Sequence, residues 1–122
     1  MAIRINKSLL MGVIIEKGEN ENGYYVKYDN GYMECWNTIK TSAQNTEFHY
    51  QYDFWTFPIP FSKISEITAT PKNWTTLAHT IKTWCESLAG CYIMQHAIDP
   101  LTGLFHDRVN DAVVVVAKGF WK

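Results

Sequence analysis

The dipeptide Asn30-Gly31 sits between two runs of β-forming residues. Tyr24-Tyr25-Val26-Lys27-Tyr28 precedes it, and Tyr32-Met33-Glu34-Cys35-Trp36-Asn37-Thr38-Ile39 follows. Asn and Gly both tolerate positive φ, so the chain is expected to reverse there and pair the two runs as an antiparallel hairpin. Side chains alternate across a strand, which puts Tyr32, Glu34, Trp36 and Thr38 on one face. Met33, Cys35, Asn37 and Ile39 fall on the other, which is directed inward apart from Asn37. The chain is one that folds by pairing strands.

The remaining segments extend that reading. Phe48 to Phe57 is aromatic-rich and reads as a strand ending at Pro58. Pro58-Ile59-Pro60-Phe61 cannot be a central strand, because each proline lacks a ladder donor, so it reads as an extended crossover anchored by Phe61. Ile64 to Thr70 alternates, with Ile67 and Ala69 on one face and Glu66, Thr68 and Thr70 on the other. Residues 75–90 leave two readings open. Leu77, Ile81, Trp84 and Leu88 have helical spacing between a Thr75 cap and a Gly90 stop, whereas Thr80-Ile81-Lys82-Thr83-Trp84 alternates as a strand does. Cys91 to Ile98 reads as a strand, Asp99-Pro100-Leu101-Thr102-Gly103 as a turn, and Val113 to Ala117 as a strand buried on both faces. Short strands separated by turn signals give an all-β, antiparallel β-sandwich.

Composition narrows the function classes. The 122 residues carry 11 Lys+Arg against 12 Asp+Glu, and charged residues make up 19%. A nucleic-acid binder needs clustered positive charge, so this balance speaks against nucleic acid. No apolar run approaches the ~20 residues of a membrane-spanning helix, and membrane insertion is not expected. The N-terminus has no signal-peptide pattern, so folding in a cytoplasm is expected. Eleven Ile, seven Val and eleven Thr against six Leu favour strands. Cys35, Cys85 and Cys91 are an odd set without a C-x-x-C pair. Cys85 and Cys91 could face each other across a turn, but the reading kept is three reduced, buried thiols.

No catalytic constellation rises above background. His49, His79, His96 and His106 form no metal-binding motif and read as structural or surface histidines, so neither metal nor cofactor is expected. Asp99, Asp107 and Asp111 share one region, yet sequence cannot pair two of them as a glycosidase requires. His106-Asp107-Arg108 groups three polar side chains that could grip a carboxylate or a sugar hydroxyl. The tryptophans and tyrosines are the other resource, since exposed rings stack on sugars or anchor protein contacts. Trp74, after the Pro71-Lys72-Asn73 break, is the one most expected on a loop.

Three segments together resemble one family. Ile14-Ile15-Glu16-Lys17-Gly18-Glu19-Asn20-Glu21-Asn22-Gly23, running through the hairpin to Cys35-Trp36, is similar to the opening of bacteriophage tail-fibre C-terminal domains. Trp55-Thr56-Phe57-Pro58-Ile59-Pro60-Phe61-Ser62 resembles that family's crossover, and Ala117-Lys118-Gly119-Phe120-Trp121-Lys122 its closing segment. Phe120 stands where the family has Arg.

The resemblance implies a β-sandwich related to H-type lectin domains, assembled as a homotrimer at a fibre tip, with residues 75–90 mainly strand. Residues 1–12 are then an arm or tether to an upstream fibre shaft that this sequence lacks, and 13–122 the receptor-binding domain. The expected function is non-enzymatic recognition of a bacterial surface polysaccharide or outer-surface protein by a phage or prophage tail-fibre tip, with three linked sites supplying avidity. Contacts are expected on loops, at Trp74, Asp99, His106, Asp107 and Arg108. The alternatives are a domain that only trimerises and registers the fibre, and a small polysaccharide depolymerase using Asp99 or Asp107.

Overall fold

The structure is a computed structural model that describes residues 12–72 and 77–122. All of the expected arm except Gly12, and Trp74, lie outside the described residues. The strands are β1 (Ile14–Asn20), β2 (Gly23–Tyr28), β3 (Tyr32–Thr41), β4 (Ala43–Asn45), β5 (Tyr50–Thr56), β6 (Lys63–Pro71), β7 (Ala78–Trp84), β8 (Gly90–Ile98), β9 (Phe105–His106) and β10 (Asp111–Phe120). One sheet has the order β1-β2-β3-β10-β6 and the other β4-β5-β8-β7, with β9 also paired to β8. Every pairing is antiparallel. The chain is the antiparallel β-sandwich its sequence implies.

The hairpin forms as expected, with Lys27 opposite Met33. Its turn differs in one respect. Gly31 alone takes the left-handed backbone (φ 93°), while the Asn30 side chain accepts a hydrogen bond from the Tyr32 amide (3.1 Å). Asn30 contributes its amide oxygen rather than a positive φ. The inward face of β3 supplies Met33 and Cys35 to a core completed by Trp55, Phe57, Phe61, Cys91, Ile93, Val113, Val115 and Ala117. Phe61 is 3% exposed and meets Phe57 edge-on at 5.1 Å, as Phe57 meets Trp55 at 5.0 Å. Such ring contacts add about 0.5–1.5 kcal/mol each beyond the area they bury.

Three local expectations are corrected. The aromatic strand begins at Tyr50, because Phe48 and His49 form the turn before it. The valine run is buried on one face only: Val113 and Val115 are sealed, whereas Val114 is 36% exposed. β10 is flanked by β3 and β6 in its sheet, but among the described residues no layer covers that sheet's outer side. Cys35 and Cys91 are buried as expected, whereas Cys85 is exposed. From Ala78 to Trp84 the ambiguous segment is strand, paired throughout with β8. The helical reading fails because each residue of that run is needed in the ladder.

Candidate functional site

At one end of the sandwich, the excursion between β8 and β10 packs against the turn between β4 and β5. Asp99 opens the excursion. Its carboxylate accepts the Leu101 amide (2.8 Å), its carbonyl accepts the Gly103 amide (2.7 Å), and its own amide donates to the Leu104 carbonyl (2.9 Å). Asp-Pro starts the turn because the Asp side chain mimics a backbone turn, and Gly103 completes it at φ 72°. The returning chain lays β9 beside β8, with Phe105 opposite Ile98 and His106 opposite Ala97.

That register places Phe105 on the outer face, next to His96 (ring centroids 5.4 Å). The His49 ring stacks flat on Phe105 at 5.3 Å and 5°. His49 holds that position through a left-handed backbone (φ 59°), which a non-glycine residue adopts at a cost of order 1 kcal/mol. Its Nδ1 meets the Asp107 carboxylate at 3.0 Å, both side chains remaining about two-fifths exposed. Tyr50 closes the cluster, edge-on to His96 at 6.0 Å. An exposed aromatic plate beside a carboxylate and two imidazoles can stack on the C–H face of a sugar and hydrogen-bond its hydroxyls.

Beneath this surface a polar network joins the two sheets. Gln51 and Gln95 are almost fully buried, as are Thr41 and Asp111. Thr41 Oγ1 donates to Gln51 Oε1 (2.6 Å) and accepts from Gln95 Nε2 (2.9 Å), and Gln51 Nε2 donates to Asp111 (2.7 Å). Arg108 grips the Asp111 carboxylate with two hydrogen bonds, 2.8 and 2.9 Å. Burial alone would push the Asp111 carboxyl up. The hydrogen bonds from Arg108 and Gln51, with the charges of Arg108 and His79, outweigh it and hold the group below the usual carboxylate range. Among the described residues, no buried side-chain nitrogen or oxygen lacks a partner.

The sequence-derived residues therefore divide. His106 and Asp107 stand exposed at this end of the molecule. Asp99 and Arg108 reach the same region, where Asp99 Oδ1 accepts within the turn and Arg108 Nε and Nη2 bind Asp111. His49, Phe105, His96 and Tyr50 complete the cluster without having been singled out. Glu47-Phe48-His49-Tyr50 does carry an aromatic signal, but nothing in it points to a partner 58 residues away.

A second surface lies on the other sheet, where Tyr24 and Trp36 stack at 5.8 Å and 15°. With Lys17, Gly18, Glu19 and Tyr25 they line an open groove of about 290 Å³. A Cβ on Gly18 would stand 2.9 Å from the Tyr25 ring, so glycine is what lets that ring lie across β1. Among the described residues, no three His, Cys, Asp or Glu converge as metal ligands do.

No protein-family model and no curated sequence matches the chain. Solved structures do. The P. aeruginosa R1 pyocin fibre comprising C-terminal residues 323–701 matches with TM-score 0.58 and 20% identity, over 87% of this chain and 28% of that one. An N-truncated R2-type pyocin tail fibre matches with TM-score 0.61 and 13% identity, over 92% of this chain and 40% of that one. The chain shares its fold with part of these pyocin fibres. A P. aeruginosa R2 pyocin fibre comprising C-terminal residues 323–691 agrees, with TM-score 0.60 and 14% identity over 92% of this chain. At these identities the likeness is one of fold. The chain spans only 27% to 40% of the length of the pyocin fibres it matches.

Proposed function

We propose that this chain is the receptor-binding tip of a phage or prophage tail fibre, non-enzymatic and homotrimeric, joined to an upstream shaft and related to H-type lectin domains. The observation that carries the reading is the pyocin-fibre fold across 87% to 92% of the chain. The order of the opening hairpin, the crossover and the closing tryptophan in the sequence supports it. The receptor is a bacterial surface polysaccharide or outer-surface protein, met by the loop end of the sandwich. His49, Phe105, His106 and Asp107 make the contact; Asp99 and Arg108 position it. Trp74 belongs to the same proposal as a further loop contact.

The test is adsorption of the labelled domain to a panel of bacterial strains. His49→Ala, Phe105→Ala and Asp107→Ala should each weaken adsorption about tenfold, the loss of one good contact of ~1.4 kcal/mol. Circular dichroism should be unchanged. Normal adsorption by all three variants would remove the loop end as the site.

A second reading, a domain that only trimerises and registers the fibre, is favoured by the outer face of β5, β8 and β7. Phe54 meets Tyr92 at 5.0 Å and Tyr92 stacks on Trp84 at 4.8 Å. Tyr52 lies opposite Met94, which lies opposite Lys82, the one formal charge among these six residues. An apolar face of this kind suits a subunit interface. Light scattering should give three times the chain mass, and Phe54→Asp should reduce it to one. A monomeric wild type would remove the trimer from both readings. Specific adsorption by the isolated domain would count against a purely structural role.

A further inference from the structure

Cys85 directly follows the last residue of β7, and Cys91 lies on the neighbouring strand β8. The β7–β8 ladder runs from Ala78 opposite Ile98 to Trp84 opposite Tyr92, and one more step sets Cys85 opposite Cys91. Residues facing each other in an antiparallel ladder have Cα atoms about 4.5–5.5 Å apart. That lies inside the ~4.4–6.8 Å over which disulfides form without backbone movement. The two thiols lie close enough to shift each other's proton affinity. Cys91 is sealed in the core, while Cys85 is exposed and lines an open cleft with Ser62, Lys63 and Leu88. A soluble reagent therefore has access to one member of the pair and not to the other.

We propose that Cys85 and Cys91 form a latent disulfide, closed by exchange with a low-molecular-weight disulfide once the folded protein leaves a reducing compartment. The Cys85 thiol loses its proton and attacks one sulfur of the small disulfide. That S–S bond breaks, a mixed disulfide forms on Cys85, and one small thiolate leaves and takes up the proton. Cys91 then loses its proton and attacks the Cys85 sulfur, forming the protein disulfide and expelling the second small thiolate, which is protonated in turn. Two protein thiols are oxidised and one small disulfide is reduced to two thiols.

Burial pushes both thiols above their ordinary value, Cys91 to about 12, so exchange is slow at neutral pH and faster in alkali. The product has a structural consequence. The loop between the two cysteines holds the crossover, with Phe57 and Phe61 amides donating to the Ala89 and Leu88 carbonyls (2.8 and 2.9 Å). A disulfide across the base of that loop locks the clamp that seats Phe57 and Phe61 in the core. The chemistry itself is independent of the fibre reading; only the change of compartment rests on it.

The experiment treats the full chain with oxidised glutathione at mildly alkaline pH and counts thiols after denaturation. The count should fall from three to one, with a Cys85–Cys91 cross-linked peptide by mass spectrometry. Cys35, fully buried on the opposite sheet, should stay free. Tm should rise by about 5 °C and return on reduction. Cys85→Ser, a change at an exposed position that leaves the core intact, should keep both remaining thiols and show no shift. Three persisting thiols, or a stable glutathione adduct on Cys85 that Cys91 never displaces, would overturn the proposal. Because no host or receptor enters the assay, its failure leaves the fibre reading untouched.

Discussion

Asp111→Ala should lower the unfolding free energy by about 3 kcal/mol, a fall in Tm of roughly 10–15 °C for a domain of this size. Asp111 is 6% exposed and accepts three side-chain hydrogen bonds, two from Arg108 and one from Gln51. Truncation strands the Gln51 amide in a buried site, where an unpaired donor costs ~1–3 kcal/mol. It also removes the partner of Arg108, whose side chain is 35% exposed and can turn partly to water. That escape keeps the expected loss at the lower end of what breaking a buried pair costs. The network spans both sheets, through Thr41 and Asp111 on one and Gln51 and Gln95 on the other, so the loss is felt globally. Denaturant unfolding measures it, and a change below about 1 kcal/mol would show that the network does not bind the sheets together.

The same carboxylate sets a pH dependence. Its folded-state pKa lies below the ordinary value of ~3.9. A group depressed in this way stabilises the fold fully above its unfolded pKa. The contribution is lost as pH falls from about 4 down through the folded value. Asp111→Asn keeps an acceptor for Gln51 and Arg108 but cannot titrate. Its stability should therefore fall less steeply than the wild type's between about pH 5 and 2. Parallel curves would assign the acid loss to other carboxylates.

The elements that could be read from sequence are those whose signal is local. Asn30-Gly31 states its own turn, Pro58 and Pro60 state a break in any ladder, and the alternation of Met33, Cys35 and Ile39 states which face of β3 is inward. β7 was not readable from periodicity, because Leu77, Ile81, Trp84 and Leu88 fit a helix stripe as well as a threonine-rich strand. The decision is made by β8, which pairs with seven consecutive residues of β7. The candidate site was half readable for the same reason. His106 and Asp107 advertise a polar loop tip, but the His49–Asp107 contact depends on the β4–β5 turn meeting β9, which no local pattern encodes. Arg108 was legible as a charge in a polar loop, but its pairing through Nε and Nη2 with Asp111, three residues on, was not. Gln51 and Gln95 could be found only once β5 and β8 were known to pair them directly.

Gly119→Ala should also cost about 3 kcal/mol, and for a purely steric reason. β10 and β6 run in register until Lys118 faces Glu66. Gly119 then faces Ile64, leaving Ser65 as an extra residue on β6. At this irregularity the backbones approach so closely that a Cβ on Gly119 would collide with the Lys63 carbonyl oxygen and stand 3.0 Å from the Ile64 Cα. Both neighbours are main chain and cannot rotate away. Admitting the methyl requires β6 to retreat. That strains the hydrogen bond from the Ser62 amide to the Phe120 carbonyl (2.7 Å) and disturbs Phe61, one residue before Ser62, in the core. Gly119 has no positive φ, so alanine should otherwise stabilise the fold by ~0.4–1 kcal/mol through the unfolded chain. Overpacking of a rigid site costs typically ~1–3 kcal/mol and more where nothing can yield, so the sign is firmly unfavourable. Gly103→Ala separates the two effects a glycine can have. Gly103 sits at φ 72° with no atom within 4 Å of an added Cβ, so alanine there carries backbone strain alone, about 1 kcal/mol. If thermal unfolding ranks Gly119→Ala well below Gly103→Ala, close packing of β10 on β6 is what glycine serves at position 119. Equal or reversed ranks would mean that the bulge at Ser65 relaxes freely and that the register of these two strands is not fixed by contact.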